Sequence, residues 1–159
     1  AILLVDTPGY GFSVGVQQQL RHFRALIDQY IHESRHLAAA VLLIDCTRGL
    51  CDADRKVLKQ LWRGNVRVLP VLTKADLLDQ AQLMSAHTVV HAQLLAEAER
   101  PEAVPLRLPM VSSHFCGGIY ELWHEIWRLA PPSTKRDPDE AVQGMTPWLR
   151  RREEQTPAD

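Results

Sequence analysis

The residues with the clearest potential for chemistry lie in short polar loops that each follow an apolar run. The first run, residues 1–5 (AILLV), ends at Asp6-Thr7-Pro8-Gly9 and is typical of a buried parallel strand. The carboxyl ends of such strands form the edge where open α/β sheets bind ligands. Because Mg²⁺ prefers one or two carboxylates with water and phosphate oxygens, Asp6 is a candidate magnesium ligand through a water molecule. Gly9 lacks a Cβ, so its N–H can approach a phosphate closely.

Two further polar loops close apolar runs in the same way. They are Thr73-Lys74-Ala75-Asp76 after residues 67–72 and Ser112-Ser113 after residues 108–111. The motif D-x-x-G arises often by chance and S-S-x is weak alone, whereas T-K-x-D at this place is fairly specific. The order D-x-P-G, T-K-x-D, S-S-x therefore carries more information than any one of the motifs.

This ordered set resembles the G3, G4 and G5 elements of the Ras-like GTPase superfamily. With the longer string D-T-P-G-Y-G at residues 6–11, the chain is most similar to the EngB/YihA (YsxC) family of ribosome-assembly GTPases, over roughly residues 1–129. The resemblance implies an α/β P-loop NTPase-type G domain, with a mainly parallel sheet and helices on both faces. It implies GTP or GDP and Mg²⁺ as ligands, and slow GTP hydrolysis that acts as a switch in large ribosomal subunit assembly.

The resemblance also implies which residues contact the guanine nucleotide. They are Asp6, Thr7, Pro8, Gly9, Thr73, Lys74, Ala75, Asp76, Ser112 and Ser113. Guanine presents N1–H and N2–H₂ as adjacent donors that one carboxylate can accept, so Asp76 would select guanine over adenine. Lys74 would lay its aliphatic stem along the base. Taken alone, Asp76 could instead be the N-cap of the following helix.

Switch II is expected in the glycine-punctuated stretch that follows the first motif and includes Tyr10, Gly11 and Gly15. The glycines allow the backbone to change conformation with nucleotide state. Tyr10 stands where Ras-like enzymes carry the glutamine that orients the attacking water, so we expect slow intrinsic hydrolysis and identify no catalytic residue. The alternative is that Tyr10 only packs on the rim of the sheet.

Two elements that family members carry upstream are not found in the sequence: a G-x-x-x-x-G-K-[ST] phosphate loop and a switch I threonine. We therefore expect residues 1–130 to be the last two-thirds of an EngB-type G domain, and residues 131–159 to be a polar, proline-containing extension. This piece alone is not expected to hydrolyse GTP. A competing hypothesis is a degenerate, non-hydrolysing G domain that serves as a structural assembly factor.

Hydrophobic periodicity and turn residues place the three loops between alternating strands and helices. Strands are predicted at 1–5, 37–44, 65–72 and 106–111, and helices at 16–34, 52–62, 79–99 and 117–129. Asp52 is the expected cap of the second helix, and Gly64 is expected to end it. Asp45 follows the second strand, where we expect it to stabilise the loop through an Asx turn.

Composition sets limits on partners and compartment. The chain has 159 residues and a formal net charge of −1, so it has no global attraction for nucleic acid, and ribosomal RNA and assembly proteins are partners by resemblance only. The cysteines, Cys46, Cys51 and Cys116, lack C-x-x-C spacing and indicate reduced thiols in the cytoplasm or mitochondrial matrix. No apolar run is long enough for a membrane span. We expect a monomer when the protein is free.

Two histidine pairs have the i, i+4 spacing that could bind a metal on a helix: His32 with His36, and His87 with His91. His32 and His36 fall at a predicted helix end without a carboxylate or cysteine partner, and His87 and His91 lie on a predicted helix. We therefore expect both pairs to lie on solvated helix faces.

Overall fold

The computed structural model describes residues 2–7, 17–34 and 36–130, with the backbone alone described for 17–24. Its first five longer elements alternate between helix and strand, and the sixth is again a helix. They are α1 (Gln17–Glu33), β1 (Ala39–Asp45), α2 (Asp52–Arg63), β2 (Arg67–Thr73), α3 (Gln80–Glu97) and α4 (Ile119–Leu129). Short 3₁₀ helices occupy Ala75–Leu77 and Pro101–Ala103.

The sheet is parallel, and its strands end at a common edge. β1 pairs with β2 in a register that runs from Ala39 opposite Arg67 to Asp45 opposite Thr73. On the other side of β2, Leu72 forms a parallel bridge with Met110. The N–H of Leu72 donates to Pro109 O at 2.8 Å, and the N–H of Val111 donates to Leu72 O at 2.8 Å. The polar loops after β1, after β2 and after Val111 are therefore neighbours.

Helices cover both faces of this sheet, which confirms the predicted α/β class. On one face, β1 and β2 side chains pack with residues of α1, α2 and α3; the fully buried members of this cluster are Ile44, Leu58, Leu72, Val90 and Leu94. On the other face, Leu69, Val71 and Val111 pack against apolar residues of α4. A strand buried on both faces is apolar almost throughout, as residues 68–72 of β2 are.

The helix ends follow the sequence signals with one correction. The cap of α2 is Cys51 and not Asp52, because the Asp54 carboxylate accepts the Cys51 N–H at 2.9 Å and closes a capping box. Asp52 is the first helical residue, where its negative charge still suits the helix dipole. Gly64 ends α2, as predicted.

Two predicted strands are not found. Residues 2–7 have no regular structure, and Leu3 and Leu4 are 85% and 61% exposed. A strand requires a hydrogen-bonded neighbour. Strand pairing in the described part of the chain joins β1 to β2 and Leu72 to Met110, and does not include residues 2–7. In the predicted strand 106–111, Leu106 is 88% exposed and only Met110 forms a bridge. This segment approaches β2 only near residue 110, so in the ranges that the structure describes its earlier residues have no strand to pair with. Among the described residues, no helix has the length and apolarity needed to cross a bilayer.

Candidate functional site

Backbone hydrogen bonds join the three segments at the carboxyl edge of the sheet. The N–H of Cys46, just after β1, donates to Thr73 O at 3.1 Å. The N–H of Ala75 donates to Val111 O at 3.1 Å. The T-K-A-D loop is therefore held between the end of β1 and the start of the S-S loop.

Asp76 and Ser112 meet across these loops. The Ser112 side chain is almost fully buried and hydrogen-bonds the Asp76 carboxylate, while its oxygen accepts the Phe115 N–H at 3.1 Å. This hydrogen bond lowers the pKa of Asp76 and outweighs the opposing effect of desolvation. Asp76 therefore presents an ionised carboxylate that is exposed to solvent and is held by its hydrogen bond with Ser112.

The helix-cap alternative for Asp76 is wrong. Asp76 lies inside the short 3₁₀ helix Ala75–Leu77, and Asp79 is the N-cap of α3. The Asp79 carboxylate accepts the Gln82 N–H at 2.8 Å, and the Gln82 side chain accepts the Asp79 N–H at 3.0 Å. Because Asp79 caps α3, the Asp76 carboxylate has no capping task and remains available as an acceptor.

Lys74 has an unusual backbone and a paired side chain. Its φ of 59° places it in the left-handed region, which is uncommon outside glycine, asparagine and aspartate. Its Nζ lies 2.6 Å from Oδ2 of Asp45. Its carbonyl oxygen accepts a hydrogen bond from the Cys46 thiol at 3.3 Å.

Asp45 forms the predicted Asx turn and also a contact that the sequence did not predict. Its Oδ1 accepts the Thr47 N–H at 2.9 Å and the Thr47 hydroxyl at 2.6 Å. Its other oxygen pairs with Lys74. Desolvation by burial acts to raise the pKa of Asp45, but the hydrogen bonds from Lys74 and Thr47 together lower it. In the sequence, Asp45 and Lys74 each follow a strand-like run, but their contact depends on the pairing of β1 with β2.

The thiols of the described residues are free, as predicted. Cys46 is buried, and burial, together with the negative charge of Asp45, raises its pKa. The protonated thiol is the form that can donate to the Lys74 carbonyl.

The residues predicted for the phosphate side are described only in part. Asp6 and Thr7 are exposed and lie in the irregular stretch 2–7. Pro8, Gly9, Tyr10, Gly11 and Gly15 lie outside the described residues. In the part of the chain that is described, no three His, Cys, Asp or Glu side chains gather as a metal site. Asp6 offers one exposed carboxylate, and Mg²⁺ is commonly held by one or two carboxylates together with waters and phosphate oxygens.

The two histidine pairs differ in how far they are buried. His32 and His36 are exposed, as predicted. His87 and His91 are half-buried and stacked, with ring centroids 6.2 Å apart, so the prediction of a solvated face is wrong for them. His87 Nε2 accepts the Leu108 N–H at 3.3 Å, and His91 Nε2 lies 3.2 Å from Pro105 O. Both rings hold the loop that precedes Met110, which explains their burial.

Comparison with known proteins agrees with this arrangement. The family model described as the elongation factor Tu GTP binding domain matches residues 1–132. A probable GTP-binding protein EngB of Rhodospirillum rubrum is 33% identical over 132 residues, which are 83% of this chain and 55% of that protein. The proteins of the same name from Nitrobacter winogradskyi and Anaplasma phagocytophilum are each 35% identical, and the match covers 80% of this chain and 57% and 64% of theirs.

This chain therefore spans between about half and two thirds of the length of these curated relatives. The family match extends across the irregular first residues, the parallel sheet and all the described helices. The chain belongs to the GTP-binding domain family of elongation factor Tu and is an EngB-type G domain.

Proposed function

We propose that this chain forms the guanine-recognition and switch part of a GTPase that acts in assembly of the large ribosomal subunit. The observation that carries the proposal is the pairing of Asp76 with Ser112. It leaves an ionised, exposed carboxylate beside Lys74 at the ligand edge of the sheet, with the cap of α3 supplied by Asp79. A carboxylate so placed matches the two adjacent donors of guanine.

Base recognition would use the loops after β2 and after Val111. Asp76 would accept N1–H and N2–H₂ of guanine, and Lys74 would lay its stem along the ring. Thr73 hydrogen-bonds the Ile44 carbonyl at 3.3 Å and would keep the loop anchored, with Ala75 tied to Val111. Ser112 would brace Asp76, and the backbone N–H at Ser113 would face guanine O6. Adenine lacks these two adjacent donors and would leave the Asp76 carboxylate unpaired.

The phosphate side would use the first motif. Asp6 would hold Mg²⁺ through a water molecule, and Gly9 would place its N–H near the γ-phosphate. When it is bound, magnesium would neutralise part of the negative charge of the phosphates. Tyr10, Gly11 and Gly15 would belong to the segment that responds to the nucleotide. With Tyr10 in place of glutamine, the attacking water would be poorly oriented and hydrolysis slow.

We further propose that residues 1–130 are the later part of a longer G domain and that residues 131–159 extend from it. The proposal is supported by the span of the match to relatives and by the missing phosphate-loop motif. The partners would be ribosomal RNA and assembly proteins of the large-subunit precursor, in the cytoplasm or the mitochondrial matrix, with the free protein monomeric. Family resemblance supports these partners.

Nucleotide binding by the native polypeptide tests the proposed function. Its intact mass and N-terminal peptides would be measured first, and fluorescent GDP and ADP would then be titrated into it. We expect a mass above 18.0 kDa, a peptide that contains G-x-x-x-x-G-K-[ST], and binding of GDP but not ADP. A native start near Ala1 without GDP binding would reject the GTPase and leave the structural assembly factor.

The assembly role needs its own experiment. In cells that depend on the protein, a Lys74→Ala, Asp76→Ala double variant would be compared with wild type by ribosome sedimentation. We expect the double variant to deplete mature large subunits, because a switch that cannot bind guanine cannot cycle. Normal large subunits with a stably expressed double variant would contradict the switch and favour a structural role.

A further inference from the structure

We infer that Asp45 is a positioning residue for guanine binding, because it fixes the Lys74 side chain before the nucleotide arrives. The inference rests on the proposed function and extends it to a residue outside the three motifs. It concerns the loop after β1, where the sequence indicated only a local turn.

The two oxygens of the Asp45 carboxylate have separate partners. Oδ1 accepts both the backbone N–H and the hydroxyl of Thr47, which fixes the orientation of the carboxylate. Oδ2 then lies 2.6 Å from Lys74 Nζ. The Asp45 side chain is only 20% exposed, whereas that of Lys74 is 57% exposed. The more buried partner, whose carboxylate is oriented by Thr47, therefore holds the more exposed one.

The neighbouring residue holds the other end of Lys74. The Cys46 thiol donates to the Lys74 carbonyl at 3.3 Å, and the Cys46 N–H donates to Thr73 O at 3.1 Å. The dipeptide Asp45-Cys46 thus contacts both the ammonium group and the backbone of Lys74. These contacts support a left-handed backbone conformation that lysine rarely adopts.

This arrangement has a consequence for affinity. A free lysine side chain has many rotamers, and a ligand that packs on its stem must remove that freedom when it binds. An ammonium group already anchored on Asp45 has lost part of that freedom, so less ordering is left for the nucleotide to impose. The ion pair would act mainly on the dissociation rate, as most changes within one interface do.

Asp45→Asn isolates this effect, because asparagine keeps an oxygen acceptor for Thr47 but has neither the negative charge nor the second oxygen that hold Lys74. In the native polypeptide, we expect GDP to bind about tenfold more weakly and to dissociate correspondingly faster. Asp52→Asn is the matched control, because the Asp52 side chain is 95% exposed at the start of α2 and pairs with Arg55 rather than with Lys74; it should bind GDP like wild type. Thermal melting verifies that each variant is folded.

A double-mutant cycle with Lys74→Ala distinguishes positioning from general loop support. If Asp45 acts through Lys74, adding Asp45→Asn to Lys74→Ala weakens GDP binding no further. Equal losses in both backgrounds, or wild-type affinity of Asp45→Asn, would overturn the inference while GDP binding by wild type upholds the proposed function. Failure of the wild type to bind GDP would overturn both.

Discussion

The Ser112 hydroxyl hydrogen-bonds the Asp76 carboxylate and so joins the loops that follow two neighbouring segments of the sheet. The same oxygen accepts the Phe115 N–H at 3.1 Å, and the Ser112 N–H donates to Gly117 O at 3.0 Å. Ser112 therefore fixes its own loop and supports the acceptor that would read guanine.

Ser112→Ala should shift the pH dependence of GDP binding. The hydrogen bond from Ser112 lowers the pKa of Asp76, so its removal raises that pKa toward the ordinary value of 3.8. Because only the ionised carboxylate accepts both guanine donors well, GDP binding would be lost at a higher pH in the variant as the solution is acidified. Fluorescence titration of GDP between about pH 2.5 and 7 measures this shift.

Ser85→Ala is the control for this experiment, since Ser85 is exposed on α3. It should leave the acid midpoint of GDP binding where wild type has it. An unchanged midpoint in Ser112→Ala would show that Ser112 does not tune Asp76.

Gly118→Ala should destabilise the fold, and Gly117→Ala should not. Gly118 has a φ of 71°, and a Cβ placed on it would lie 1.9 Å from the Met110 carbonyl oxygen. A Cβ on Gly117 would meet nothing within 4 Å. We expect Gly118→Ala to lower the free energy of unfolding by about 3 kcal/mol, because backbone and not a flexible side chain must move. Urea denaturation of both variants measures the difference, and equal stabilities would contradict it.

His87 should make stability fall in mild acid. Burial and the neighbouring His91 lower the pKa of His87 below its usual 6.5, and its Nε2 accepts the Leu108 N–H. The unfolded chain therefore binds a proton more readily than the folded one. The contribution of His87 is fully present above about pH 6.5 and is lost as the pH falls from there toward the lower folded pKa.

His87→Gln tests this, because glutamine offers an acceptor for the Leu108 N–H without titrating. The free energy of unfolding of the variant should fall less steeply between about pH 7 and 5 than that of wild type. His36→Gln, at an exposed position, should keep the wild-type slope. Parallel slopes for wild type and His87→Gln would contradict the argument.

Motif order was the best guide that the sequence offered. By resemblance it assigned Asp76 and Ser112 to one guanine site, and the structure brings their loops together because parallel strands separated by helices end at one edge. The apolar runs also predicted β1, β2 and the helices that cover them. These features depend on local pattern and on the short list of ways in which strands and helices can alternate.

The remaining features depended on tertiary neighbours. The pairing of Asp45 with Lys74 requires the strand register, and the burial of His87 requires the path of residues 105–108. Residues 1–5 have a strand-like composition, but composition cannot supply the partner that a strand needs. The cap of α2 fell one residue from its predicted place because Asp54 reaches back to Cys51.

The central claim, that Asp76 reads guanine, is tested most directly by the base preference of the native polypeptide and of Asp76→Asn. Xanthine keeps N1–H but carries a carbonyl where guanine has its amino group, so an asparagine amide matches it as a carboxylate matches guanine. Asp79→Asn is the control, because asparagine caps a helix as well as aspartate does.

Affinities for GDP and xanthosine diphosphate would be measured for the three proteins. We expect wild type and Asp79→Asn to prefer GDP by at least about a hundredfold, and Asp76→Asn to prefer xanthosine diphosphate. A wild-type protein that does not discriminate, or an Asp76→Asn variant that keeps the preference for GDP, would contradict the claim.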